Sequence, residues 1–145
     1  MTKKFLLTSL ATAVVAFILN AIVFVVFLKD FFQTHPAVSE EFMKQLYRPE
    51  DQMIWWAVVL SALALGFLLT TVIQWSGART FAKGLKSGFV FAFLLLCTVD
   101  FGLLASTNNF TTAGAIADLA CSTTTLTISG AVAAWMLGRG NNTTT

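Results

Sequence analysis

The stretch FLLTSLATAVVAFILNAIVFVVFL, residues 5–28, decides the fold class. It contains no Asp, Glu, Lys, Arg or His. A helix needs about 20 mainly apolar residues to cross a hydrocarbon core about 30 Å thick, and this run exceeds that length. Residues 53–75 form a second uncharged run, and residues 85–106 and 113–137 complete a set of four. Little is left between them, so no room remains for a soluble domain. Backbone amides inside lipid must be satisfied internally, which makes helices the expected solution. A β-barrel would instead alternate polar and apolar residues along each strand, and residues 21–28 and 58–69 do not alternate.

Composition agrees. Of 145 residues, 57% are hydrophobic and 11% charged, against about 45–50% and about 25% in soluble domains. The mean hydropathy is +0.78. These values exclude a soluble globular enzyme, a disordered tail and a disulfide-rich scaffold. Nine Lys and Arg stand against seven Asp and Glu, and the positives are scattered between apolar runs, which excludes nucleic acid as a partner. The expected fold is all-α, one transmembrane domain over residues 1–145, an integral membrane four-helix bundle running up-down-up-down. The lipid bilayer is its first partner.

Orientation follows from the basic residues. One side carries Lys3, Lys4, Arg79, Lys83, Lys86 and Arg139 with no acidic residue; the other has Lys29, Lys44 and Arg48 among five carboxylates. Both termini are therefore expected in the cytoplasm. Trp55 and Trp56 on one face, and Trp75 and Trp135 on the other, suit the headgroup zone. The apolar run after Lys3 and Lys4 is longer than the 7–15 residues or so of a signal-peptide core, so it is read as a retained span.

The outer connection, residues 29–52, is the only sizeable one. Val38, Phe42 and Leu46 recur every fourth residue between charges, which predicts a short amphipathic helix lying on the surface, capped by Ser39. The only histidine, His35, lies in this loop, outside the spans. That disfavours haem, and no cofactor or metal is expected. The tail, residues 141–145, reads as frayed.

Within lipid, small residues and hydrogen bonds hold helices together. Each span carries a stripe spaced by four: Thr8, Thr12, Ala16 and Asn20; Ala62, Gly66, Thr70 and Gln74; Gly84, Gly88 and Ala92; Gly130, Ala134 and Gly138. Asn20 and Gln74 are expected to turn inward. The stripes suit packing within one chain, or a homo-oligomer or membrane-protein partner.

Ionisable residues inside a span are functional candidates by default, and this chain has Asp100 and Asp118. With the hairpin centred at Asn109, Asp100 and Asp118 fall at one depth, and so do Cys97 and Cys121. Each Cys lies three residues from its Asp and shares its helix face. Asn20 lies at a similar depth. The five residues Asp100, Asp118, Asn20, Cys97 and Cys121 form the candidate ligand- or ion-binding site. Two arrangements are open. The carboxyls face each other, in which case a shared proton is expected; or the glycines form the hairpin interface and the carboxyls point apart, toward Asn20, a threonine or water. The thiols read as a disulfide or as two small buried groups. The run 122–127, Ser-Thr-Thr-Thr-Leu-Thr, predicts a hydrated or tightly packed half of the last span.

Val99-Asp100-Phe101 and, eighteen residues on, Ala117-Asp118-Leu119-Ala120 resemble the two aspartate motifs of lipoprotein signal peptidases, small four-span bacterial membrane enzymes. The resemblance covers about 25 residues and implies that Asp100 and Asp118 are a catalytic dyad activating water. The family's Gly-Asn-x-x-Asp-Arg motif is absent. Four spans with an aspartate in each of the last two also resemble small bacterial inner-membrane proteins of no assigned activity, which implies a multi-pass protein of the inner (plasma) membrane. Three functions are therefore expected, in this order: a non-enzymatic accessory, assembly or binding subunit; a proton- or cation-coupled transporter using the two carboxyls; and a membrane aspartyl peptidase. Against transport, the cytoplasmic half shows no polar route beyond Gln74 and Thr70.

Overall fold

In a computed structural model, which describes residues 2–139, the chain forms five helices: α1 (Lys3–Thr34), α2 (Glu40–Leu46), α3 (Trp55–Trp75), α4 (Phe81–Ser106) and α5 (Thr112–Gly138). All but α2 are long and apolar enough to cross a membrane. No strand occurs among the described residues. The tail expected to fray, residues 141–145, lies outside them.

Helix ends are set by caps rather than by the limits of apolar sequence. Thr80 accepts from the Lys83 amide at 3.3 Å and starts α4 four residues before the apolar run. Thr111 accepts from the Gly114 amide at 3.0 Å and starts α5. After α3, Gly77 adopts φ +69°, the left-handed turn that glycine takes without a Cβ penalty.

The largest departure from expectation is α1. The loop expected from residue 29 begins as helix and stays helical to Thr34. It stops at His35, whose φ of −126° and ψ of 59° leave the helical region; the ring of Pro36 disfavours helix at the residue before it. Within α1, Phe24–Leu28 is wound as a π turn, which rephases the helix. Leu28 becomes buried, and Phe32 packs edge-on against Phe110 at a centroid distance of 6.3 Å and beside Gly114. The end of α1 thus braces the α4–α5 turn.

The short amphipathic helix exists as α2. Ser39 caps it by accepting from the Phe42 amide, and Lys44 pairs with Glu40 at 3.7 Å. Phe42 and Leu46 remain exposed, so the helix does not cover the bundle.

The pairing of α4 with α5 is the most extensive in the molecule, and α5 also packs on α1 and α3. By contrast, α3 and α4 barely meet. The least apolar of the four long helices, α5, is accordingly the most buried. Gly84 packs on Ala131 and Ala134, and Gly88 on Gly130. Across the bundle, Gly66 of α3 packs on Ala13 of α1, and Thr70 donates to Thr12 at 3.3 Å. Successive long helices alternate in direction: Lys4 Nζ donates to the Leu137 carbonyl at 2.7 Å and to that of Arg139. The first turn of α1 therefore ties off the orphan carbonyls at the end of α5.

A methyl at Gly84 would sit 2.5 Å from Ala134 Cβ and 2.7 Å from Ala131 Cα. The second neighbour is backbone and cannot swing aside. Gly84→Ala is therefore expected to cost about 1–3 kcal/mol, whereas Gly102→Ala, with no atom within 4 Å of the new methyl, costs none of this. Reversible unfolding of both variants in mixed micelles checks the contrast.

Candidate functional site

The close contacts of Gly84 with Ala134 and of Gly88 with Gly130 are both symmetric about Asn109. That is the hairpin centre read from the sequence, so Asp100 and Asp118, and likewise Cys97 and Cys121, lie at matching depths. Of the two arrangements expected for the carboxyls, the glycine interface is present. Glycines form the hairpin interface, and Asp100 is only 2% exposed. No hydrogen bond joins the two carboxyls. Asp118, half-buried, accepts from Ser122 Oγ at 3.1 Å through Oδ1. Asp100 Oδ2 is buried and has no hydrogen-bond partner among the described residues.

Asn20 is not part of this pair. Its Nδ2 donates to the Ala16 carbonyl at 3.0 Å, and its Oδ1 accepts from Thr125 Oγ1 at 3.0 Å, about two turns along α5 from Asp118. Cys97 and Cys121 are free thiols of intermediate burial. Gln74, expected like Asn20 to turn inward, is exposed.

Buried hydroxyls are the feature the sequence reading underweighted. Thr8, Ser9, Thr12, Thr70, Thr125 and Ser129 are all buried, several of them in the half of the bundle that holds the termini. Three spend their proton on the carbonyl one turn earlier, Thr8 on Lys4, Thr12 on Thr8 and Ser129 on Thr125, a bond that lets a hydroxyl sit in an apolar helix. Their spacing of four along α1 was visible in the sequence, where the threonines counted as small residues rather than polar ones.

The run 122–127 divides by face. Thr125 is buried and bonds Asn20; Thr124 is exposed and donates to the Ala120 carbonyl at 2.8 Å. The Oγ1 atoms of Thr123 and Thr127 are buried without a partner among the described residues. Two outward-facing apolar grooves lie on the surface, one between α4 and α5 and one along Trp55, Trp56, Val59, Leu60 and Leu63 of α3. Neither is lined by Asp100 or Asp118.

No family model matches the chain, and no curated protein or solved structure matches it.

The Thr125–Asn20 bond is a side-chain-to-side-chain tie between α5 and α1. Thr125→Val and Asn20→Leu should each weaken the fold. Buried interhelical bonds in lipid are worth about 0.6 kcal/mol on average. A double-mutant cycle on micelle unfolding is expected to return a coupling of about that size; a coupling of zero would remove the bond from the fold's support.

Proposed function

We propose that this chain is a non-enzymatic, multi-pass subunit of a bacterial inner membrane that works by binding a partner, with Asp100 and Asp118 as its polar determinant. The observation that carries the reading is the Asp100 carboxyl: 2% exposed, with one oxygen unpartnered. A buried charge or polar group without a partner is costly, and ionisable groups inside membranes mark function. Asp118, half-buried beside it, is the side from which a cationic or hydrogen-bond-donating group approaches. Peptide hydrolysis is favoured less, because the Gly-Asn-x-x-Asp-Arg motif of the peptidases it resembles is absent from the sequence.

The orientation rests on charge. Lys3, Lys4, Arg79, Lys83, Lys86 and Arg139 belong to helix ends and a connection that meet at one end of the bundle: Lys4 reaches the end of α5, and Gly138 packs on the Arg79 backbone. Under the positive-inside rule that end is cytoplasmic. Trp75 and Trp135 lie there, and Trp55 and Trp56 at the opposite end, which suits two headgroup zones. Proton- or cation-coupled transport is the second reading. It gains from the buried Thr8, Ser9, Thr12, Thr70 and Ser129, which supply polar groups to a half of the bundle that looked apolar in sequence.

The test is native electrophoresis and mass measurement on complexes extracted gently from membranes. The wild type is expected to run above the mass of one chain, and Asp118→Asn and Asp100→Asn are expected to lose that association while keeping their helical content. A wild type that runs as a single chain, and drives proton uptake into vesicles that Asp118→Asn abolishes, would replace this reading with transport. A C-terminal reporter is expected to be active only in the cytoplasm.

A further inference from the structure

The end of the bundle that holds the first turn of α1 and the last turn of α5 is basic, and its cations are not equivalent. Lys3, Lys4, Arg79, Lys83, Lys86 and Arg139 lie in the segments that meet there, and those segments contain no Asp or Glu. Two of these cations are spent on the fold: Lys4 donates to the Leu137 and Arg139 carbonyls, and Arg79 Nη1 donates to the Ala78 carbonyl at 3.0 Å. Lys83 and Lys86, on the first turns of α4, are exposed and make no ion pair among the described residues. Arg139 is exposed as well, and its guanidinium is held over the Trp135 ring, 4.4 Å from the centroid. These three cations are open to a ligand.

They stand at one end of the outward-facing groove between α4 and α5, about 460 Å³, whose lining includes Leu85, Phe89 and Phe93 on α4 and runs from Ile128 to Ile116 on α5. Lys86 precedes Phe89 by three residues and Phe93 by seven, so it shares their helix face, and Lys83 extends that face by one turn. On α5, Trp135 follows Ile128 by two turns and carries Arg139 over its ring. The hairpin register that sets Gly84 against Ala134 puts Lys83 level with Trp135. In that register the groove runs about 25 Å from Leu85 to Ile116, at 1.5 Å per residue. A long apolar channel with three free cations at one end suits an amphiphile with an anionic head and an extended hydrocarbon tail. A soluble anion would leave the channel uncovered. A zwitterionic lipid would bring a cation of its own to a rim that has no carboxylate to receive it. Basic residues at the membrane surface attract anionic lipids, and tryptophan favours the headgroup level. We propose that the α4–α5 groove holds an anionic phospholipid, one acyl chain lying along Phe89 and Phe93 and the phosphate taken by Lys83, Lys86 and Arg139. The inference uses the membrane placement argued above but not the partner-binding role of Asp100 and Asp118, which lie outside the groove.

The experiment titrates the full chain in uncharged detergent micelles with phosphatidylglycerol, with phosphatidylcholine of the same acyl chains, and with glycerol phosphate, following the melting temperature. A saturable rise with phosphatidylglycerol alone is expected. Lys83→Gln combined with Lys86→Gln should weaken the apparent Kd for phosphatidylglycerol by about fivefold per charge removed, while leaving the melting temperature of the lipid-free protein unchanged, because both side chains are exposed. Lys29→Gln combined with Lys44→Gln removes the same charge at the opposite end and should leave the Kd unchanged. On the wild type, phosphatidylglycerol with a photoreactive group in its acyl chain should label residues 85–93 and 116–128. An equal shift with phosphatidylcholine would reduce the groove to an unselective acyl-chain contact, and an equal shift with glycerol phosphate would make the rim a site for free anions. Either result overturns the proposal, as would no saturable shift, an unchanged Kd in the Lys83 and Lys86 variant, equal weakening in the Lys29 and Lys44 variant, or labelling confined to other segments. Asp118→Asn should leave phosphatidylglycerol binding intact, so the two proposals can fail separately.

Discussion

The approach of two backbones at Gly84, Gly88 and Gly130 is the contact on which the rest of the structure depends. Without side chains between them, α4 and α5 close to a distance at which an added methyl would strike Cα and carbonyl atoms. Contacts this short admit one register. Once it is fixed, Asp100 stands level with Asp118 and Cys97 with Cys121, although no bond within either pair holds them there. The same closeness pushes the large residues of the hairpin outward. Phe89 and Phe93 cannot enter the seam, so they stack on its rim and leave a groove beside it.

A helix in this position has to be less apolar than its neighbours. Water does not drive helices together in lipid, so small residues and hydrogen bonds must. The sequence of α5 is rich in Gly, Ala, Ser and Thr, and it is the most buried helix. Its Thr125 reaches Asn20, its carbonyls at the far end take Lys4, and its first turn lies under Phe32. The peripheral helices keep Leu, Val and Phe on their outer faces. The polarity gradient among the four runs therefore opposite to that of a water-soluble bundle, whose most central helix is the most apolar.

Much of this was legible in the residues. Length and apolarity gave four long helices, and the stripes Thr8–Thr12–Ala16 and Gly84–Gly88–Ala92 are buried as read. Two helix limits differ from the apolar runs by several residues, because hydropathy ends where charges begin while the helix ends where a cap or a proline ends it: Thr80 at the start of α4 and Pro36 beyond α1; the limits of α3 and α5 lie within two residues of those runs. A glycine interface and a buried Asp100 share α4 for a geometric reason. A helical wheel assigns one fixed face over sixteen positions, but a stripe of fours winds by about 40° per step. The buried face of α4 passes through Gly84, Gly88, Ala92 and then Asp100. Asn20 and Gln74 looked equivalent as single polar residues ending two stripes. They differ because Asn20 meets α5, whereas Gln74 lies near the end of α3 and is exposed.

Two unmatched polar features remain on this hairpin, and they are of opposite kinds. At its closed end, Asp100 Oδ2 is an acceptor without a donor; at mid-depth, Thr123 and Thr127 are donors without acceptors. They cannot satisfy each other, being separated along the hairpin and held by the same rigid seam. A helix built only to be a core would have turned each threonine back onto its own carbonyls, as Thr124 and Ser129 do, and would have carried alanine in place of Asp100. Unsatisfied groups of both signs in a low-dielectric interior each cost more than they would in water, and the proposal of α4 and α5 as a binding scaffold rests on that cost.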